Sequence, residues 1–192
     1  MKIQENISLK NYNTFGVEAK AHYFAEVHDL HELKYATEFA KINHIKILFL
    51  GGGSNLLFTQ DFDGLVIKLN LKGISEEILD ENHVLVSAKA GENWHEFVLY
   101  TLSKNYGGLE NLSLIPGNVG TCPIQNIGAY GTEIKDHFVS CKALNLETSE
   151  IEELSLEDCK FGYRDSIFKT SAKGKYVIVE VTFKLTTQNH HI

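Results

Sequence analysis

The segment from Ile115 to Gly131 (IPGNVGTCPIQNIGAYG) restricts the possible folds more than any other part of the chain. It contains both prolines and four of the 15 glycines. Proline fixes φ and glycine permits φ > 0, so the segment predicts a loop with a demanding backbone path. Long loops in compact domains are usually functional or disordered. The apolar residues Ile124, Ile127 and Tyr130 argue against disorder, and a structural Ω-loop is the alternative.

A second glycine-rich segment follows the apolar run Ile45 to Leu50 and consists of Gly51, Gly52, Gly53, Ser54 and Asn55. Adjacent glycines allow backbone N–H groups to converge on an anion, so the segment predicts a phosphate or pyrophosphate site. Leu56 occupies the third glycine position of a dinucleotide fingerprint, and no Gly-Lys-Ser/Thr is present, so neither standard nucleotide motif is matched. A tight turn between two strands is the alternative.

A third segment, Cys159 to Lys169 (CKFGYRDSIFK), places one arginine among aromatic and small polar residues. The guanidinium of Arg164 can hold a carboxylate or a developing enolate through two parallel hydrogen bonds. A surface ion-pair cluster of Arg164 with Asp165 is the alternative, and it is the commoner fate of an arginine. In the long loop, Gln125 and Asn126 can present paired donors and acceptors to a base or ring edge.

The hydrophobic pattern predicts an α+β protein with two lobes. Strands are expected over 21–27, 45–50, 64–69, 84–90, 138–146, 151–154 and 176–185, and helices over 29–43 and 93–105, with Asp29 and Asn93 as N-caps. Ser155 is a candidate cap for a short turn over 156–159. A polar connection over 70–82 divides the chain into subdomains 1–72 and 73–187, followed by a frayed tail, 188–192. The junction of two such lobes is a natural ligand crevice.

Composition excludes several classes of function. Eighteen basic and 25 acidic residues give a net charge of −7, which disfavours nucleic-acid binding. The three cysteines form no zinc spacing or disulfide framework, and the nine histidines form no metal motif. No signal peptide or bilayer-length apolar run is visible. A cytoplasmic protein without nucleic-acid, membrane or metal partners is expected.

Together the three motifs resemble one family. GGGSN after an apolar strand, IPGxxGxxPIQNIGAYG and FGYRDSIFK are typical of UDP-N-acetylenolpyruvoylglucosamine reductases, also called UDP-N-acetylmuramate dehydrogenases. Asn13 to Gly16 (NTFG) and Ala90 to Trp94 (AGENW) are supporting matches. The resemblance runs from about Tyr12 to Leu185, which is nearly the whole chain.

The resemblance implies an FAD-binding domain of the vanillyl-alcohol oxidase type, with two α+β subdomains holding FAD non-covalently between them. NADPH would reduce the flavin, which would then reduce UDP-N-acetylglucosamine enolpyruvate to UDP-N-acetylmuramate for peptidoglycan synthesis. Arg164 would be the catalytic residue that stabilises negative charge on the substrate carboxylate. A monomer is expected. The expected cofactor contacts are Gly51, Gly52, Gly53, Ser54, Asn55, Pro116, Gly117, Gly120, Thr121, Gln125, Asn126, Gly128, Ala129 and Tyr130.

Two features depart from the family pattern. The family continues beyond this similarity into a substrate domain, with a serine proton donor and a late glutamate that have no match in these 192 residues. The chain alone is therefore expected to be inactive. Cys122 also stands where a small serine or alanine is expected. The competing interpretations are another flavin enzyme of the same fold, such as an oxidase of small alcohols, and a non-catalytic nucleotide-binding module. Many such oxidases attach FAD through a loop histidine, and neither glycine loop contains one.

Overall fold

The computed structural model describes residues 1–188 and 190 of the chain. The polypeptide divides into two compact units, Met1–Leu71 and a second unit that begins at Lys72. Of the frayed tail expected over 188–192, residues 189, 191 and 192 lie outside the described residues. Among the described residues, strands occur in runs separated by single α-helices, and the larger sheet is antiparallel, so the architecture is α+β as expected.

The first unit is a four-stranded sheet with one helix. Its strands are ordered β1-β2-β4-β3, with β1 antiparallel to β2 and both β2 and β3 parallel to β4. The elements are β1 Gln4–Ser8, β2 Lys20–Val27, α1 Leu30–Ile42, β3 Ile47–Leu50 and β4 Phe62–Leu69.

Local capping and burial explain helix α1. The side chain of Asp29 accepts a hydrogen bond from the Glu32 N–H at 2.8 Å, which satisfies a donor of the first turn. The helix contacts β2 and β4 and buries Leu33, Ala36 and Ala40 at helical spacing. The predicted helix and its N-cap are therefore confirmed.

The second unit is a five-stranded antiparallel sheet of order β10-β9-β11-β6-β5, with an additional short hairpin, β7-β8. The elements are β5 Ile74–Ile78, β6 His83–Lys89, α2 Trp94–Ser103, β7 Gly128–Ala129, β8 Thr132–Glu133, β9 Phe138–Asn145, β10 Ile151–Ser155, α3 Leu156–Cys159 and β11 Tyr176–Thr186. Asn93 caps α2 through the Glu96 N–H, and Ser155 caps α3 through the Asp158 N–H, as predicted.

One face of this sheet carries the core of the second unit. Trp94 and Phe97 of α2 pack against Phe183 of β11, with ring centroids 5.6–5.9 Å apart. The indole N–H of Trp94 donates to the Leu112 carbonyl oxygen at 2.7 Å, so this large side chain is buried without an unsatisfied donor. The core therefore fixes α2 and the residues that follow it against the sheet.

Glu180 of β11 is a buried carboxylate on the same sheet. It accepts from Lys89 of β6 at 2.5 Å and from Lys142 of β9 at 2.8 Å. Burial opposes its ionisation, but the two ammonium groups outweigh that effect and hold the pKa of Glu180 below its ordinary value. The ion triad therefore joins the three central strands across the sheet.

The polar connection expected over 70–82 is wrong in part, because Ser75, Glu76 and Glu77 form strand β5. Its register runs from Ile74 opposite Ala88 to Ile78 opposite Val84. As an edge strand it has one neighbour and exposes most of its side chains, so the apolar alternation that identifies a strand is absent. The polar edge strand β1 was not predicted for the same reason.

None of the helices built by the described residues combines the length and apolar character that a membrane span requires.

Candidate functional site

The glycine loop of the first unit lies at the carboxyl end of strand β3. Gly53 is buried and has φ +70°, and a Cβ on it would lie 2.1 Å from the Tyr12 carbonyl oxygen. The Gly53 carbonyl oxygen accepts a hydrogen bond from the Thr14 N–H at 3.1 Å. Only glycine fits this close approach of two backbones. The loop is therefore held against residues 12–14.

The contact with residues 12–14 explains the NTFG motif. The Asn13 side chain is buried, donates to the carbonyl oxygens of Leu9 at 2.8 Å and Val17 at 3.0 Å, and accepts from the Val17 N–H at 3.0 Å. These bonds fix the turn that supports Gly53.

The other loop residues face outward to different degrees. Gly52 and Asn55 are exposed, Gly51 and Ser54 are half-buried, and Lys68 Nζ donates to the Gly51 carbonyl oxygen. Lys68 was not singled out from the sequence. The available signal was a charged residue within the otherwise apolar strand GLVIKL.

The long loop of the second unit is bound to the β6–α2 connection by its backbone. Trp94 N–H donates to the Gly117 carbonyl oxygen at 3.0 Å, and Gly120 N–H donates to the Ala90 carbonyl oxygen at 3.0 Å. A Cβ on Gly120 would lie 2.4 Å from the Ala90 Cβ, so this glycine is also required by close approach. These bonds explain the AGENW motif as the partner of the loop.

Several predicted contacts on this loop have their polar groups engaged within the protein. Thr121 Oγ1 donates to the Asn118 carbonyl oxygen at 2.7 Å. Asn126 is fully buried with φ +42°; its Nδ2 donates to the Gly162 carbonyl oxygen at 3.0 Å, and its Oδ1 accepts from the Lys135 N–H at 3.2 Å. Pro116 and Tyr130 are exposed, and Gln125 and Ala129 are half-buried.

Arg164 lies in a tight turn that is closed by backbone hydrogen bonds between Gly162 and Asp165 at 3.0 and 3.2 Å. Its φ of +51° is unusual for a residue other than glycine. The turn is anchored to the long loop, because Ser166 Oγ donates to the Ile124 carbonyl oxygen at 2.7 Å.

The guanidinium of Arg164 donates to the carbonyl oxygens of Asn126, at 3.4 Å, and of Gly128. Arg164 forms no salt bridge with any residue among those the structure describes, so the ion-pair cluster with Asp165 is not observed. Backbone carbonyls therefore orient the guanidinium without neutralising its charge.

Arg164 lines an open cleft of about 440 Å³ within the second unit, which is a typical size for a ligand site. Tyr163 stacks beside it, with the Arg164 Cζ 5.6 Å from the ring centroid. The cleft brings Arg164 together with three of the predicted cofactor residues, Gly128, Ala129 and Tyr130; its other lining residues are Gly131, Thr132, Glu133, Lys135, Asp136 and Tyr163. A cationic fork at the wall of such a cleft can bind a carboxylate or phosphate.

Cys122, the departure from the expected serine or alanine, is a packing group. Its side chain belongs to the core of the second unit, and burial raises the pKa of the thiol well above its ordinary value. It therefore carries no reactive thiolate. Within residues 1–188 and 190, no group of three or more metal-ligating side chains is present.

Comparison with known proteins identifies the class of domain. A family model described as FAD binding domain matches residues 21–155. The chain belongs to this FAD-binding domain family.

Two relatives with known names point to a narrower group within the FAD-binding domain family. The chain is 57% identical to the UDP-N-acetylenolpyruvoylglucosamine reductase of Flavobacterium johnsoniae, a match that covers 100% of this chain and 56% of that protein. It is 49% identical to the protein of the same name from Pseudomonas putida, covering 97% of this chain and 55% of that protein. The predicted resemblance to these reductases is confirmed. The chain spans just over half the length of these curated relatives.

Solved structures give the same fold. The UDP-N-acetylenolpyruvylglucosamine reductase of Thermus caldophilus superposes with a TM-score of 0.76 at 26% identity, covering 96% of this chain and 62% of that chain. A VAO-type flavoprotein of Myceliophthora thermophila superposes with a TM-score of 0.64 at 12% identity, covering 86% and 32%. The predicted α+β fold of the vanillyl-alcohol oxidase type is confirmed.

Proposed function

We propose that this chain is the FAD-binding portion of a reductase that converts UDP-N-acetylglucosamine enolpyruvate to UDP-N-acetylmuramate for peptidoglycan synthesis. The observation that carries the proposal is Arg164, whose guanidinium is oriented by two backbone carbonyls at the wall of an open cleft. Sequence identities of 57% and 49% to two proteins of this name support the choice of substrate.

The glycine loop of the first unit fits the pyrophosphate of FAD. The N–H groups of Gly52 and Ser54 donate to no acceptor among the described residues, although neighbouring peptide groups are hydrogen bonded. Such donors suit an anion. Gly51, Gly52, Gly53, Ser54 and Asn55 would hold the pyrophosphate, and the loop over 116–130 would hold other parts of FAD, without a covalent link. When bound, FAD supplies hydride transfer, with NADPH as the donor.

Arg164 acts on the substrate in this proposal. Two of its N–H donors are directed at the carbonyls of Asn126 and Gly128, which leaves the rest of the fork for a ligand. A carboxylate in the cleft would be held in a fixed plane, and negative charge developing on it would be stabilised. An ammonium cannot form two parallel hydrogen bonds to a carboxylate, so Arg164→Lys should retain little of this stabilisation.

The flavin part of the proposal is tested with the purified chain and FAD. We expect a yellow complex whose colour is released into the supernatant by acid precipitation. Colour retained in the pellet would contradict non-covalent binding. Gly52→Val should abolish FAD binding while leaving the circular dichroism spectrum unchanged, because Gly52 is exposed and a side chain there would obstruct the close approach of the pyrophosphate to the loop backbone. Arg164→Ala is the matched control and should keep FAD.

The substrate part is tested by adding the enolpyruvyl nucleotide to the FAD complex and recording the flavin spectrum. We expect the FAD complex of these 192 residues to be silent towards the nucleotide. With the substrate domain of the family joined to this chain, Arg164→Ala should slow reoxidation of the reduced flavin by the nucleotide while keeping FAD bound, and Arg164→Lys should recover little of that rate. Residues 1–192 alone should show no steady NADPH oxidation with this substrate, with the Flavobacterium johnsoniae enzyme as positive control, because loss of a proton donor typically costs about 10² to 10⁴ in rate. Reoxidation at the unsubstituted rate in Arg164→Ala would remove Arg164 from the mechanism, and steady turnover by residues 1–192 would contradict the expected inactivity.

A further inference from the structure

We propose that Lys68 is a positioning residue for the pyrophosphate of the cofactor. It orients the peptide groups of the loop Gly51–Asn55 and adds a positive charge beside them. The inference rests on the proposed FAD binding and assigns a role to a residue outside the glycine motif.

Lys68 occupies a position where a charged residue needs a specific reason. It is the second-to-last residue of β4, an inner strand between β2 and β3, and it is opposite Leu50 in the register with β3. Its neighbours Ile67 and Leu69 are buried, and Lys68 itself is half-buried. Lysine is almost never placed in such surroundings unless its ammonium is hydrogen bonded or paired. Its Nζ donates to the carbonyl oxygen of Gly51, the first residue of the loop.

This contact determines where the next amide points. In a trans peptide the C=O of one residue and the N–H of the following residue point in opposite directions. Since the Gly51 carbonyl is directed at Lys68, the Gly52 N–H is directed away from it. The same geometry applies two residues later, because the Gly53 carbonyl accepts from the Thr14 N–H at 3.1 Å and so directs the Ser54 N–H away from residue 14.

The carbonyls of Gly51 and Gly53 are thus held by protein donors, and the N–H groups that follow them have no acceptor within the part of the chain that the structure describes. A loop with its carbonyls turned inward and its amides turned outward is an anion-binding concavity. The ammonium of Lys68 adds charge to it, and partial burial strengthens that charge relative to a surface lysine. Lys68 therefore favours binding of the pyrophosphate in two ways: it orients the amides of the loop, and its charge attracts the anion.

The test measures FAD affinity by quenching of flavin fluorescence at low and at high ionic strength. Lys68→Met should weaken FAD binding about ten- to a hundredfold, as expected for loss of a hydrogen bond to a charged group. It should also reduce the salt dependence of the dissociation constant, because one cation near the anion is lost. Lys68→Arg keeps a charged donor and should recover most of the affinity. Lys46→Met, an exposed lysine preceding β3 at the opposite end of that strand, is the matched control and should change neither quantity.

The outcomes separate this inference from the proposal on which it rests. Wild-type affinity and salt dependence in Lys68→Met would overturn the role of Lys68 and leave FAD binding standing. A loss of affinity that is equal at both ionic strengths, is not rescued by arginine and accompanies a lower melting temperature of the apoprotein would show a merely structural lysine and would also overturn it. Failure of the wild-type chain to bind FAD would overturn the proposed function and this inference together.

Discussion

Substitution of Gly53 by alanine should destabilise the first unit far more than the same substitution at Gly16. Both glycines have positive φ, +70° and +62°, but only Gly53 is crowded. A Cβ on Gly53 would lie 2.1 Å from the Tyr12 carbonyl oxygen, whereas ordinary contacts lie at about 3.5 Å. A Cβ on Gly16 would meet nothing within 4 Å.

The magnitudes follow from these contacts. Left-handed backbone costs alanine about 1–2 kcal/mol at either position. At Gly53 the obstructing atom belongs to the backbone, so residues 12–14 must move, which adds about 1–3 kcal/mol for overpacking. The Thr14 to Gly53 hydrogen bond is then lost, at about 1 kcal/mol. Gly53→Ala should therefore reduce the free energy of unfolding by roughly 3–6 kcal/mol, against about 1–2 kcal/mol for Gly16→Ala.

Hydrogen exchange of β2 and β4 amides, followed by mass spectrometry, is the suitable assay. The only tryptophan, Trp94, lies in the second unit and does not report on the first. Protection of β2 and β4 should fall strongly in Gly53→Ala and slightly in Gly16→Ala, with the second unit unchanged in both. Equal losses in the two variants would refute the argument that close approach, rather than φ alone, requires glycine at position 53.

Three further predictions concern the second unit. Glu180→Gln should lower the free energy of unfolding by about 2 kcal/mol at neutral pH. Because folding lowers the pKa of Glu180, its contribution to stability is present above about pH 4.5 and is lost as the pH falls through the folded pKa. Urea melts of the variant and the wild type should therefore converge in acid. The exposed Glu77→Gln is the control and should be neutral. Asn126→Ala should lower the free energy of unfolding by about 2–4 kcal/mol, measured by Trp94 fluorescence, because it leaves two partly buried backbone groups, the Gly162 carbonyl and the Lys135 N–H, without partners. It should also increase proteolysis at the Arg164 turn, and unchanged proteolysis there would contradict the role of Asn126 in holding that turn. The cysteines Cys122, Cys141 and Cys159 are all buried, so a thiol reagent should label none of them in the native protein and all three in urea, and rapid native labelling of Cys122 would contradict its role in packing.

The parts of the fold that depend on local chemistry could be predicted from the sequence. Asp29, Asn93 and Ser155 each cap the helix that follows, because a cap depends on residues three positions apart. Strand β5 could not be predicted, because its stability comes from pairing with β6 and its own side chains are mostly exposed.

The same distinction between local chemistry and tertiary contacts applies to the candidate site. The motifs identified the two glycine loops and the Arg164 segment, since unusual runs of glycine and proline are visible in one sequence. The use of each side chain depends on tertiary contacts between residues far apart in the chain. Asn126 was assigned to the cofactor, yet its side chain joins Gly162 and Lys135. Lys68 received no role, although its ammonium meets Gly51, 17 residues away.

The two edge strands of the larger sheet, β5 and β10, each carry a pair of adjacent glutamates, Glu76 with Glu77 and Glu152 with Glu153. One glutamate of each pair is held ionised by phenolic donors. Hydrogen bonds from Tyr100 and Tyr106 lower the pKa of Glu76, and one from Tyr176 lowers that of Glu152.

An open sheet edge can add a strand from another molecule, and charge along the edge opposes that addition. Both edges of this sheet are negative, so any pairing of two copies through them would bring like charges together. Glu76 and Glu152 lose their charge only below the ordinary pKa of glutamate. Charge repulsion at both edges therefore continues to oppose strand-by-strand aggregation in mildly acidic solution.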